Sequence, residues 1–387
     1  MARWILLPIL LLLLPSILPA ENPVPSAPMT ATGWLRAHPH YEWSFPRDHW
    51  PHPDYESEWW YLTGQLSTVS GRQFGYQFTF FRVGLLRETP NLDSDWSTRD
   101  LIMGHAALTD LDTGDHRFSE VLYRTTPQLG GFVDPSYASR AGGLIAWSRG
   151  PAGTDGIWDL HFNGEAFDLA MVDGETGFAL DLSTRPLKHR IFQGPNGYSA
   201  KGAGPDAGAS QYYSFTRLAT TGLLVVDEDT LAVTGSSWMD KEFGSDKLST
   251  DQVGWDWFSL QLGDGRDLML YVLRDSTGAM DHASGTWVDA EGQNRYLSAA
   301  DFEFSVDSHW TSPETGATYP SGWTLRVGSE SLIICPAVQK QENVGRLVAG
   351  LFYWEGAVRV IAPGTHRVVG RGYVELTGYG RGRRPGI

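Results

Sequence analysis

Between Asp48 and Glu58 the chain carries two histidines and four carboxylates: His49 and His52, with Asp48, Asp54, Glu56 and Glu58. Trp50, Tyr55, Trp59, Trp60 and Tyr61 are interleaved with them or follow directly. A buried carboxylate needs partners and an indole N–H needs an acceptor, so charge set among large rings suits the wall of a pocket. An aromatic-rich first strand of an ordinary β core accounts for the same residues equally well. A metal site built from His49, His52, Asp54, Glu56 and Glu58 would have neither an HExxH nor a Cys–His frame. Loop and cap interactions explain these histidines more simply, and neither a metal nor another cofactor is expected.

Further along, Trp238, Asp240 and Glu242 form a second aromatic and acidic group, with Trp257 soon after. Asp240, Glu242 and Glu58 are the candidate proton donors of a reaction on a carbon skeleton. Tyr61, His105, Tyr213, Arg217, Trp238 and Trp257 are the candidate ligand-binding residues, the aromatics lining a cavity and the polar groups orienting a head group or a water. Each has a structural alternative. His105, at the start of a strand-like run, suits a hydrogen-bonded core position, and Arg217 with Asp240 could form an ion pair closing the fold. Lys201 has no phosphate-binding frame around it and is expected in solvent. No G-x-S-x-G segment is present, so acyl transfer through a nucleophile elbow has no support.

The elements that must hold these groups are strands. Charged residues make up only 19% of the chain, which is rich in glycine and aromatics, and this points to short strands and tight turns. Residues 58–68 and 72–83 flank a Ser70-Gly71 turn. Residues 105–111 and 116–124 flank DTGD, and 157–162, 166–172 and 178–183 continue a meander with period-2 patterning. Successive hairpins favour closed antiparallel barrels, which remove exposed edges. Residues 89–98 read as a loop at a barrel mouth, and 186–210 as a long excursion from the sheet.

At the N-terminus, Arg3 precedes an apolar run over 4–18 that ends in Pro19, Ala20 and the polar Glu21. Such a run reads as a secretory signal peptide over 1–20, with an uncleaved anchor as the alternative. A loose linker over 21–34 follows. Cys335 is the single cysteine of the sequence, so no internal disulfide can form and the core must supply the stability. The net charge of −15 argues against nucleic acid, because phosphate recognition needs clustered Lys and Arg. Export to the periplasm or beyond, with no membrane span after cleavage, is the expectation.

An internal repeat sets the domain count. Laying Gln65-Leu66 on Gln261-Leu262 brings Trp59 onto Trp255 and Tyr61 onto Trp257, with Gly-Arg turns following at Gly71-Arg72 and Gly265-Arg266. The run from Val233 to Asp240 likewise lies over that from Val368 to Glu375, each ending in an aromatic and then a carboxylate. Two similar barrels are expected, over 35–247 and 248–387.

Seven segments carry a resemblance to a known family: EWWYLTGQL (58–66), GPNGYSAKG (194–202), SQYYSFTRL (210–218), GSSWMDKEFG (235–244), GWDWFSLQLGDGRDLMLY (254–271), YWEGAV (353–358) and GRGYVELTGY (370–379). The chain resembles the AttH-like secreted proteins, a branch of the superfamily that contains the carotenoid 1,2-hydratases, or hydroxyneurosporene synthases. That resemblance implies an all-β fold of two tandem lipocalin-like antiparallel β-barrels and, for many members, a neighbouring ABC-type exporter. Members are often labelled hydrolases. Hydration of an isolated alkene needs an acid, aromatic faces for the cation and a placed water. The hydratase pattern has Asp-His-Asn-Trp-Gly where this chain has 240–244, so Lys241 replaces the histidine and Phe243 the tryptophan. A later Tyr-x-Asp falls on Tyr271 and Leu273, which loses a carboxylate. The expected function is therefore an exported protein binding an extended hydrophobic lipid or terpenoid. The alternative is a hydratase or isomerase on such a molecule.

Overall fold

The structure, a computed structural model, describes residues 28–138, 142–204, 207–348 and 350–380. The expected signal peptide and the first half of the expected linker, residues 21–27, lie outside these residues. Among the described residues no helix is long and apolar enough to cross a membrane.

The fold is all-β, as two tandem lipocalin-like barrels. The first sheet contains β1 (Ser57–Thr68), β2 (Gln73–Gly84), β3 (Asp100–Asp110), β4 (His116–Arg124), β5 (Gly130–Phe132), β6 (Leu144–Arg149) and β7 (Ile157–Phe162). It continues with β8 (Phe167–Asp173), β9 (Phe178–Pro186), β10 (Ile191–Phe192), β11 (Tyr198–Ala200), β12 (Ala209–Val226) and β13 (Asp229–Gly244). Its strand order is β4-β3-β2-β1-β13-β12-β9-β8-β7-β6-β5, with β10 and β11 on β12. β4 returns to β5 and β6, nearly closing the barrel. The second sheet holds β14 (Gln252–Leu262), β15 (Asp267–Asp275), β16 (Met280–Val288), β17 (Asn294–Ser298) and β18 (Phe302–Thr311). To these it adds β19 (Thr318–Val327), β20 (Glu330–Pro336), β21 (Glu342–Val344), β22 (Phe352–Ile361) and β23 (Val368–Leu376). Its order is β17-β16-β15-β14-β23-β22-β20-β19-β18, with β21 on β22. The hairpins read from the turn residues are those observed, and the described residues of the 186–210 excursion hold the short β10 and β11, with a 3-10 turn at Pro195–Gly197 between them, before β12.

The repeat is exact at the level of register. Leu66 pairs with Gly235 and Leu262 with Gly370; Tyr61 pairs with Asp240 and Trp257 with Glu375. In each barrel the first strand lies between the second and the last. Alternation then decides what each side chain meets. On β1, Trp60, Leu62 and Leu66 enter the first core, while Tyr61 joins a separate apolar cluster shared by the two barrels. On β14, Phe258, Leu260 and Leu262 enter the second core and Trp257 joins the shared cluster. Both faces of β1 and β14 are therefore buried, which is why they read as nearly continuous apolar runs.

Two glutamines at equivalent repeat positions clasp the barrels reciprocally. Gln65 donates from Nε2 to the carbonyls of Val358 (3.0 Å) and Gly372 (2.9 Å). Gln261 donates to those of Thr216 (2.8 Å) and Ser237 (2.9 Å). Gly75 allows the approach, because a Cβ there would sit 2.9 Å from the Ala357 Cβ.

Candidate functional site

Where the outer faces of β1 and β13 meet those of β14 and β23, the shared cluster opens into a cavity of about 210 Å³. Trp59, Tyr61 and Tyr212 line it from the first barrel, Trp255, Trp257 and Tyr271 from the second. Trp257 is central: its ring meets Tyr61 edge-on at 5.1 Å and Trp238 at 6.2 Å, and its Nε1 donates to the Tyr212 hydroxyl at 3.1 Å. Asp240, Glu242, Glu375 and Lys201 bring charge to this aromatic wall.

The alternation of β13 explains the sorting. Asp240 and Glu242 point to the cavity, whereas Lys241 turns into the first barrel, its Nζ 3.6 Å from the Trp60 ring centroid. Asp240 is buried and accepts hydrogen bonds on both oxygens: from Ser214 (2.5 Å) and Trp238 (2.7 Å) on Oδ1, and from Tyr212 (2.7 Å) on Oδ2. Burial pushes its carboxyl up to about 7 against the pull of those donors, with Glu242 adding to the rise. Glu375, its repeat partner, is also pushed up to about 7, by burial first and then by the nearby charges of Asp240 and Glu242. Trp255 Nε1, at 2.9 Å from Oε2, is its one hydrogen-bond partner among the described residues. Behind it, burial and Glu375 hold Glu355 well above the usual carboxylate range. Tyr61 donates to Glu355 Oε1, and Oε2 has no hydrogen-bond partner among the described residues.

Glu242 is differently placed. Lys201 Nζ approaches its Oε1 to 2.6 Å, and the Ser210 hydroxyl donates to the same oxygen. Lys201 is thus not in solvent as expected: its side chain is only 19% exposed, and Glu242 keeps it cationic although burial alone would lower its pKa. Its backbone is tied to the second barrel, because Gln252 donates to the Lys201 carbonyl at 2.7 Å and Tyr271 to that of Ala200.

Of the residues singled out from sequence, Tyr61, Asp240, Glu242 and Trp257 line the cavity, and Trp238 supports it through Asp240. Four lie elsewhere. Glu58, fully buried, faces the interior of the first barrel with Lys241, Arg82 (3.0 Å) and His52 (2.6 Å). Burial alone would raise its pKa, but Lys241, His52 and Arg82 hold it well below the usual range. Burial also pushes Lys241 down to about 7, but Arg82 gives Glu58 a permanent counter-charge. His105 accepts or donates at Nδ1 with the Tyr353 hydroxyl (2.8 Å), and burial pushes its pKa down to about 3. Tyr213 sits in the first core, 2.7 Å from His49 Nδ1. Arg217 pairs with Asp267 of the second barrel at 2.6 Å, not with Asp240. Glu375, Tyr212, Trp255, Lys201 and Glu355 were not among the candidates. The repeat placed Glu375 on Asp240, which was the available signal.

A family model described as AttH-like matches residues 36–379. The chain belongs to the AttH-like family. An AttH-type protein from Nitrosomonas europaea, known from its crystal structure, is 31% identical and superposes with a TM-score of 0.75 over 90% of this chain and all (100%) of its own. Two more distant structures show the same fold. Kievitone hydratase from Nectria haematococca is 15% identical, with a TM-score of 0.63 over 92% of this AttH-like chain and 97% of its own. CghA is 12% identical, with a TM-score of 0.55 over 92% and 97% respectively. Comparison with curated proteins gave no match. The AttH-like chain thus has the two-barrel fold that a hydratase also uses.

Proposed function

We propose that this protein acts at the inter-barrel cavity on a compact, largely apolar molecule, with the Glu375 carboxyl passing a proton to or from the bound carbon skeleton. The observation behind this reading is a pair of repeat-related carboxyls on the cavity wall, Asp240 and Glu375, both pushed up to about 7. A carboxyl poised near neutral pH exchanges protons most effectively under physiological conditions. Asp240 has both oxygens committed to donors, so it orients Tyr212 and Trp238. Glu375, with one donor on Oε2, keeps an oxygen for the substrate. The shared fold of kievitone hydratase supports addition or removal of water as the reaction class.

The cavity bears on the ligand as well. At about 210 Å³ it falls below the range of roughly 300–1,000 Å³ typical of drug-sized sites, which favours a compact molecule over an extended carotenoid or lipid chain. The apolar run over 4–18 supports export, and the family resemblance supports work beside an ABC-type exporter. A second reading, a carrier without turnover, rests on the same aromatic lining.

The two readings separate in one experiment. Wild type and Glu375→Gln are incubated with extracts of envelope lipids and terpenoids, and products are sought by mass as a gain or loss of one water or as an isomer. On the enzyme reading the variant keeps its binding, while conversion falls by about a hundredfold or more. No conversion by wild type, together with a molecule retained in native mass spectrometry, would establish the carrier.

A further inference from the structure

Lys201 is the one lysine that meets the cavity wall with its side chain largely buried, Lys247 being exposed at the rim and paired with Glu56 at 3.2 Å. Among the described residues, the Lys201 ammonium has a single hydrogen-bonded acceptor, Glu242 Oε1. An ammonium carries three N–H donors, so two remain for a bound molecule. Its position is set from both barrels. Glu242 holds the head group, Gln252 holds the backbone, and Nζ lies 5.1 Å from the Tyr271 ring centroid.

This cation conflicts with one kind of hydration. Protonating an isolated alkene creates a carbocation, which the rings of Trp59, Trp255 and Trp257 would stabilise but a fixed ammonium in the same small cavity would repel. A carboxyl raised to about 7 is also a weak donor to alkene carbon. Both features suit a reaction in which negative charge develops on oxygen, because an ammonium aimed at that oxygen stabilises it and a carboxyl near neutrality matches the proton transfers.

Building on the proton-transfer reading above, we infer that the substrate is a compact α,β-unsaturated carbonyl compound, or its β-hydroxy hydrate, whose carbonyl oxygen is seated on the Lys201 ammonium. In the hydration direction the Glu375 carboxylate takes a proton from water as the water oxygen bonds to the β-carbon. The π electrons move through the α-carbon to the carbonyl oxygen, giving an enolate held by Lys201. Glu375 then returns its proton to the α-carbon, and the carbonyl re-forms. One water is added, one π bond is lost, Glu375 ends as it began, and nothing is oxidised or reduced. Dehydration follows the same steps backwards.

Two probes of similar size separate the possibilities: trans-chalcone, an aryl enone, and 1,3-diphenylpropene, which lacks the carbonyl. Isothermal titration calorimetry gives the affinity of each for wild type, Lys201→Met and Lys201→Arg, and mass spectrometry follows gain of water, with Glu375→Gln as the control. Wild type should bind chalcone at least tenfold more tightly than the alkene, Lys201→Met should remove that preference, and Lys201→Arg, which keeps the charge, should retain most of it. Unchanged circular dichroism of Lys201→Met separates a lost contact from a lost fold, and the arginine variant carries the test if the methionine variant does not fold. Equal affinities for the two probes in wild type, failure of chalcone to bind, or a preference that survives Lys201→Met would overturn the inference. Glu375-dependent hydration of diphenylpropene would also overturn it while leaving the proton-transfer reading intact. Lys201-dependent chalcone binding without conversion would support the substrate class and count against proton transfer.

Discussion

Glu58 and Glu375 are the same residue type in different barrels, the first fully buried and the second half-buried on the cavity wall, and they are held in opposite states. Glu58 lies among Lys241, Arg82 and His52 and stays ionised. Glu375 has an indole donor and, around it, Asp240, Glu242 and Glu355, and it is pushed towards the neutral form. Burial alone therefore does not decide what a carboxyl can do. A carboxylate compensated by cations is locked as a structural charge, because losing its proton is already complete and gaining one breaks several contacts. A carboxyl among its own kind sits near the pH at which it can exchange a proton, and in this protein that group faces a cavity.

The comparison breaks most sharply at Arg82. Arg82→Met leaves Glu58 and Asp100 short of a buried counter-charge and should cost about 3–5 kcal/mol in urea unfolding. A loss of less than 1 kcal/mol would mean that the cluster is not held by charge compensation. Glu375→Gln should act in the other direction, and only above acidic pH. The Glu375 pKa is raised on folding, so its contribution is intact below the ordinary value of about 4.5 and is lost as pH rises through about 7. A displacement of that size, at about 1.4 kcal/mol per pH unit, makes the glutamine variant about 3 kcal/mol more stable than wild type at pH 8 and leaves it level at pH 4. Parallel denaturation curves at the two pH values check this. Glu58 has the reverse sign. Its pKa is lowered on folding, so the stability it supplies is present at neutral pH and is lost on acidification.

Two smaller effects sharpen the contrast. Tyr61→Phe removes the donor to Oε1 of Glu355, whose Oε2 has no partner among the described residues, and should cost about 1–3 kcal/mol by thermal or urea unfolding. Lys247→Ala removes an ion pair whose lysine is 77% exposed, and the change should stay within about 1 kcal/mol. A large effect there would show that the cavity rim is more shielded than its exposure indicates.

The strands, their turns and the duplication were legible in the sequence because all three are local or repetitive signals. Period-2 alternation bounded by Ser70-Gly71 and DTGD marks hairpins, and matching Leu66 with Leu262 and Gly235 with Gly370 marks equivalent registers that the backbone then forms. Alternation also separates Asp240 from Lys241, since neighbours on a strand must point to opposite faces. Which face meets a core, which a cavity and which the other barrel is not encoded in that alternation. Glu58 and Asp240 look alike as carboxylates beside tryptophans, but the first faces inward to Arg82 and the second outward to Trp257 and Tyr212. Arg217 finds Asp267, and Lys201 finds Glu242, across about fifty and forty residues of chain. Charge state follows from such partners, and partners brought together by packing one barrel on another exist only in the tertiary structure.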